Sequence, residues 1–247
     1  MRMQKGGDGA GADPASVDVA VAQALATGRC GDPFATLGPH ETPEGRIVRA
    51  FLPGALEVEA LDAASGASLG VLRSLTAEGL FGGLVAGDAP YKLRIVWPGA
   101  TTIAEDPYSF WPLLPEEDLA LFSAGCHPHL TQLLGARVMR AADVPGVRFS
   151  VWAPNARRAS VVGDFNGWDA RRHPMRLRHA AGVWELFVPR IGPGERYKFA
   201  LLGRDGVELP HKADPMALRA EAPPATASVV AAPLEHEWRD ADWMASR

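Results

Sequence analysis

The chain repeats its own order of strands and turns, and this constrains its fold more than any other feature. Leu37-Gly38 recurs as Leu134-Gly135. The run Ile47–Leu52, ending in Pro53-Gly54-Ala55, recurs as Val147–Trp152, ending in Ala153-Pro154-Asn155-Ala156. Gly79-Leu80-Phe81 recurs as Gly182-Val183-Trp184. Gly87-Asp88-Ala89-Pro90-Tyr91-Lys92 recurs as Gly194-Glu195-Arg196-Tyr197-Lys198, and Glu105-Asp106-Pro107 as Ala213-Asp214-Pro215. The order holds with small insertions. A unit of roughly 100 residues, the size of an immunoglobulin-like domain, is therefore present twice.

Within each unit the apolar residues alternate with a period of two. Ile47, Arg49 and Phe51 alternate with Val48, Ala50 and Leu52, and Val147, Phe149 and Val151 with Arg148, Ser150 and Trp152. The runs 56–61, 79–85, 91–97, 159–162, 184–188, 197–201 and 229–230 read as further strands. Pro53-Gly54, Ser65-Gly66, Pro98-Gly99 and Asp205-Gly206 supply turns between them. Two stretches depart from this pattern. Asp13-Pro14 reads as a helix start, with Val17, Val21 and Leu25 on one face and Gly28 as the stop. Pro115-Glu116-Glu117-Asp118 reads as an acidic first helical turn, with Leu119 and Phe122 facing inward. The expectation is an all-β chain: two tandem immunoglobulin-like β-sandwiches with a short N-terminal helix and a helical connector. Its parts are a flexible N-terminus plus helix over 1–27, a first sandwich over 28–125, a second over 126–235, and a linker from 236 to 247. The helix over 14–27 is expected to be exposed and to need a partner surface.

Bulk chemistry narrows the function. The formal net charge is −4, against a nucleic-acid partner, which a basic face would mark. The pairs Arg171-Arg172 and Arg176-Arg178 are local and suit surface hairpin arms. Cys30 and Cys126 lie far apart with no metal-ligand spacing, so free thiols in a reducing compartment are expected. His127 and His129 form an H-x-H pair with no further ligand nearby, so no metal and no cofactor is expected. No apolar run is long enough for a membrane span, and residues 1–12 lack the apolar core of a signal peptide. A cytoplasmic protein with no membrane partner is expected.

Gly163-Asp164-Phe165-Asn166-Gly167-Trp168-Asp169 is the most distinctive stretch. An apolar strand runs into it, and Asn166-Gly167 suits the positive φ of a tight turn. Trp168 then stands at a sheet edge. It reads either as a core tryptophan beside a hairpin or as a flat platform for the apolar face of a sugar ring. The first repeat has Leu61-Asp62-Ala63-Ala64-Ser65-Gly66 at this place, with no aromatic. The fold alone does not demand Trp168.

Several stretches resemble a known family. Asp32-Pro33-Phe34-Ala35-Thr36-Leu37-Gly38-Pro39-His40 resembles the opening of bacterial glycogen branching enzymes. Residues 147–169 closely resemble their family 48 carbohydrate-binding module, and the likeness extends through Arg171-Arg172-His173-Pro174-Met175, Lys212-Ala213-Asp214-Pro215 and 224–230. The resemblance implies the N-terminal portion of a 1,4-α-glucan branching enzyme, whose retaining chemistry resides in a separate (β/α)₈ barrel. It implies α-glucan (glycogen or malto-oligosaccharide) and the catalytic barrel as partners, and no catalytic residue in this stretch. Asp164, Asp169 and Glu185 are not candidates for catalysis. The F-N-x-W turn of the module supplies Asn166 and Trp168, and the Y-K-F strand supplies Lys198, as glucan-binding residues. Glucan-binding members carry a second aromatic just before the Asp-Pro pair and an Asn near the last strand. Here His211 and the small residues Ala227-Ser228 stand there, which predicts a shallow site. Two other readings stay open: a free-standing glycogen-binding scaffold or regulatory module, and the N-terminus of a related debranching enzyme.

Overall fold

The computed structural model describes residues 13–233 and 240–246. Residues 1–12 of the expected flexible N-terminus and 236–239 of the expected linker fall outside them. Among the described residues no helix is long and apolar enough to cross a membrane.

The first sandwich is built from β1 (Gly38–Thr42), β2 (Gly45–Phe51), β3 (Glu57–Asp62), β4 (Ser68–Ser74), β5 (Leu80–Leu84), β6 (Tyr91–Trp97) and β7 (Ala100–Ala104). In space they run β1-β2-β5-β4-β3-β6-β7. Strand β4 joins the two layers: Ser68 to Leu72 pair with β3, then Arg73 and Ser74 pair with β5. The second sandwich is built from β8 (Gly135–Ala141), β9 (Val144–Trp152), β10 (Arg158–Gly163), β11 (Arg176–Arg178), β12 (Val183–Pro189), β13 (Arg196–Leu202) and β14 (Ser228–Val229). Its sheets run β11-β12-β9-β8 and β10-β13-β14. Each strand takes the place of its counterpart in the first copy. The chain entering β11 makes the same crossing as β4. It bonds β10 first, through Val161 N–H to His173 O (3.1 Å) and Met175 N–H to Ala159 O (2.8 Å), and then joins β12.

A buried corner recurs as well. Tyr91 Oη donates to Asp106 Oδ2 at 2.6 Å, and Tyr197 Oη donates to Asp214 Oδ2 at 2.6 Å. The other oxygen of each carboxylate accepts a backbone N–H two residues on, from Tyr108 and Met216. These two residues press on the repeated glycine. A Cβ at Gly38 (φ +87) would lie 2.5 Å from Tyr108 O, and one at Gly135 (φ +91) would lie 3.1 Å from Met216 O. The Leu-Gly and Asp-Pro pairs of each repeat thus form one tertiary contact, open only to a residue without a side chain.

One face of β2 and β5, with Val48, Ala50 and Phe81, lies in the first core beside Val58, Ala60, Leu93 and Ile95. The opposite face carries Phe51 and Leu80. Together with Leu25 and Tyr108 they belong to the same apolar cluster as Val147, Phe149, Val161, Trp184 and Phe199 of the second sandwich. Burying side chains of this kind is worth about 1.5–3 kcal/mol each. The joint between sandwiches is therefore built like a core.

The helical segments differ from expectation at the N-terminus. Helix α1 spans Val19–Ala26, capped by Asp18, and does not start at Pro14. Arg49 explains this: its guanidinium donates to the carbonyls of Ala15 (2.8 Å), Ser16 (3.2 Å) and Pro14 (3.3 Å). Those carbonyls would otherwise accept helical bonds, so residues 13–17 form a strap across the first sandwich. Leu25 is 1% exposed, which corrects the expectation of an unpartnered helix. The connector follows its prediction. Helix α2 (Glu116–Ser123) carries three acidic residues in its first turn, and Leu119 and Phe122 face inward. With α3 (Leu130–Leu133) it covers the outer face of the second sandwich, where Leu114, Leu119 and Leu133 cluster with Val183. A last helix, α4, spans Ala241–Ala245.

Candidate functional site

The turn between β10 and β11 positions each of its residues by a separate contact. Phe165 stacks on Phe149 of the core at 5.8 Å, which pins the turn from below. Asn166 is 6% exposed. Its Oδ1 accepts Gly163 N–H (2.9 Å), while its Nδ2 donates to Val161 O (2.9 Å) and lies 2.8 Å from His173 Nδ1. Gly163 is required by close approach, because a Cβ there would meet Arg196 O at 2.3 Å. The chain forms a 3-10 turn over Asp164–Asn166 and then reverses. The positive φ falls on Gly167 (+64) and Trp168 (+62), one residue later than the sequence suggests. An aromatic residue in the left-handed region stores strain of order 1–3 kcal/mol. Such strain persists where surrounding contacts impose it, and here they do.

Trp168 is half-buried, and its indole Nε1–H donates to Asp164 Oδ1 at 3.0 Å. Arg196 grips the same carboxylate with two bonds, Nε to Oδ2 (2.7 Å) and Nη2 to Oδ1 (3.1 Å). The Arg196 bond, with help from the indole, holds the Asp164 carboxyl below its ordinary pKa. Arg196 also reaches Glu221 Oε1 at 3.2 Å, and Glu221 Oε2 accepts Ala227 N–H at 3.0 Å. Lys198 lies opposite Val162 in the β10–β13 ladder, and its Nζ donates to Thr226 Oγ1 at 2.6 Å. The indole, through Asp164 and Arg196, and the ammonium, through Thr226, are each tied to a polar network that reaches the 221–227 loop.

Trp168 is thus linked through Asp164 to Arg196, two residues before Lys198 on β13. Asn166 lies beneath them with its amide engaged inside the protein, so its part is to hold the turn. His211 is exposed, next to the segment whose Lys212 pairs with Phe199. Asp164, Arg196, Glu221 and Thr226 escaped the sequence reading. The four-residue spacing from Asp164 to Trp168 was the available signal for the first. The other three come from distant strands and loops.

The remaining carboxylates have structural partners. Asp169 accepts Arg171 Nε and Nη2, which depresses its pKa. Glu185, 4% exposed, accepts Leu113 N–H (3.0 Å), Leu114 N–H (3.1 Å) and Arg178 Nη1 (2.6 Å). His127 pairs with Asp118 at 3.5 Å. Among the described residues no group of three or more His, Cys, Asp and Glu side chains is disposed to hold a metal ion. A cavity of about 280 Å³ lies between the sandwiches, lined in part by Phe51, Ile95, Asp106, Asn166, His173 and Arg190. It touches the turn from the inside and includes neither Trp168 nor Lys198. The rim can do noncovalent work: stack an apolar ring face and donate hydrogen bonds to hydroxyls.

Comparison with known proteins matches the two sandwiches separately. Residues 18–108 match the N-terminal domain of alpha-1,4-glucan branching enzyme GlgB. Residues 133–217 match carbohydrate-binding module 48, the isoamylase N-terminal domain. The chain is 57% identical over 217 residues to 1,4-alpha-glucan branching enzyme GlgB of Pseudomonas fluorescens strain Pf0-1, covering 87% of this chain and 29% of that protein. It is 54% identical over 241 residues to the Paraburkholderia xenovorans enzyme of the same name, covering 96% of this chain and 32% of the relative. For the Ralstonia nicotianae enzyme the identity is 56%, covering 95% and 33%. The chain spans about a third of the length of these curated relatives. Among solved structures, a pullulanase complexed with maltotetraose from Anoxybacillus sp. LM18-11 aligns with a TM-score of 0.35 and 15% identity, covering 75% of this chain and 25% of that one. At that level of likeness it carries no argument about ligand.

Proposed function

We propose, on the premise that the chain belongs through its two domains to the N-terminal portion of the 1,4-alpha-glucan branching enzyme family, that this segment binds and positions α-glucan at Trp168 and Lys198. The observation that carries the reading is the strained turn, which holds the indole of Trp168 at the sheet rim against Asp164. The indole offers its face to the apolar C–H face of a glucose ring. Lys198 reaches over the same rim on its long stem and exchanges its bond to Thr226 for a sugar hydroxyl. Asn166, Asp164 and Arg196 act as positioning residues. In the whole enzyme the bound chain is held for transfer from an α-1,4 to an α-1,6 link by a catalytic barrel outside this stretch. The proposed units are 28–125 for the first sandwich and 126–235 for the glucan module, in a cytoplasmic enzyme without a nucleic-acid or membrane partner.

One aromatic and one lysine make a weak site, with a Kd of about 1 mM. Titration with maltoheptaose followed by NMR tests it. The Trp168→Ala variant should abolish the response of the signals of the 163–169 turn and Lys198, and Asp164→Asn should weaken it about threefold while leaving the fold intact. An unchanged titration in Trp168→Ala overturns the platform. The 247-residue chain alone should leave the iodine stain of amylose unshifted.

A further inference from the structure

A second aromatic stands free of the fold on the connector strap that packs against strand β12 of the second sandwich. Trp111 is 85% exposed. Its backbone is nonetheless fixed on both sides. Phe110 before it meets Phe187 edge-on at 4.8 Å. Pro112 after it restricts the chain, and the N–H groups of Leu113 and Leu114 are held by buried Glu185. The fixed strap presents an indole whose area the fold does not bury, so its face is open to a ligand.

The surroundings specify the ligand. Trp111 shares a shallow recess with Phe34 and Arg176. At the Phe34–Arg176 pair this recess adjoins a larger one of about 330 Å³, lined also by Asp32, Leu177 and His179. The Arg176 guanidinium lies over the Phe34 ring, 3.6 Å from its centroid. Among the described residues its donors have no hydrogen-bond or ion-pair partner. The lining offers donors from Arg176 and His179 and an acceptor from Asp32. Asp32 opposes an anion, and the lining changes from apolar beside Trp111 to polar at Arg176, Asp32 and His179. A neutral polyhydroxyl chain with apolar ring faces satisfies all of it.

We infer that the groove from Trp111 through Phe34–Arg176 to His179 is a second α-glucan contact, taking a neutral oligosaccharide independently of Trp168. The choice of α-glucan among such ligands rests on the proposed function. The groove itself does not.

Indole ¹⁵N–¹H signals of the 247-residue chain, titrated with maltoheptaose, test this. The Trp111→Ala variant identifies the Trp111 signal. The expected result is that this signal shifts in the parent chain and still shifts in Trp168→Ala. In glycogen-containing gels, Trp111→Ala should raise the apparent Kd about fivefold, as the loss of one stacked ring does. His179→Ala, at an exposed position, should weaken binding without changing the melting temperature.

An unmoved Trp111 signal with intact Trp168 binding overturns the groove and leaves the proposed function standing. A Trp111 response with no effect of Trp168→Ala does the reverse. A larger shift with inorganic phosphate than with maltoheptaose overturns the neutral-ligand assignment. So does a dimer in sedimentation that Trp111→Ala dissociates, which would assign the face to a second copy of the chain.

Discussion

Asp106 and His173 line the same cavity and titrate in opposite senses. Burial raises the Asp106 carboxyl to about 6, against the bonds from Tyr91 and Tyr108 that favour its charged form. Burial lowers the His173 imidazole to about 4, with the nearby Arg172 charge adding to it. Between about pH 4 and 6 folded Asp106 keeps a proton that the unfolded chain has released, so its contribution to stability falls as pH rises. Over the same window the unfolded chain protonates its histidine while folded His173 stays neutral, so that contribution rises with pH. The two slopes oppose. Relative to the parent chain, Asp106→Asn should gain stability as pH rises from 4 to 6, and His173→Gln should lose it. Urea unfolding at pH 4, 5, 6 and 7 checks both signs. Trp168 shows how far a single residue could be read. Its type and its absence from the first repeat marked it as a candidate. Its left-handed φ was not legible, and although the four-residue spacing to Asp164 was, the Arg196 that grips the same carboxylate comes from another strand.

At the scale of elements, strands with one apolar face were legible and largely exposed strands were not. β2, β6, β9 and β13 alternate plainly. β4 and β7 are largely exposed, so no face of theirs is marked by apolar residues. The acidic start of α2 was readable, whereas the start of α1 was displaced by Arg49. The connector strap depends on Glu185, which satisfies two backbone donors and Arg178 at once. Glu185→Ala leaves the two backbone N–H groups without their acceptor and removes one of the carboxylates that face Arg178, and should cost about 3 kcal/mol. It should also raise amide exchange at Leu113 and Leu114. Denaturant melts and hydrogen exchange measure the two effects. Unchanged exchange at those amides would show that the strap is held otherwise.

Across the whole molecule, the cluster that joins Leu25, Phe51, Leu80 and Tyr108 to the second sandwich makes the sandwiches one cooperative unit. Polar ties cross the same joint: Tyr108 Oη to Pro174 O (3.2 Å), Arg172 Nη2 to Pro53 O (3.0 Å) and Arg190 Nη2 to Glu105 Oε1 (2.6 Å). A single transition is expected, with equal calorimetric and van't Hoff enthalpies. Two separated transitions would show the joint to be weaker than its burial implies. By itself the sequence determined the duplicated β-sandwich, the connector helix, and the turn bearing Trp168. Alternation, turn residues and repetition are local properties of the chain. Only the tertiary structure decided that the outer face of β2 and β5 is an interdomain core, that Asn166 works inward, and that Asp164 and Arg196 orient the indole. Those outcomes depend on which distant segments meet, and packing sets that where local pattern is silent.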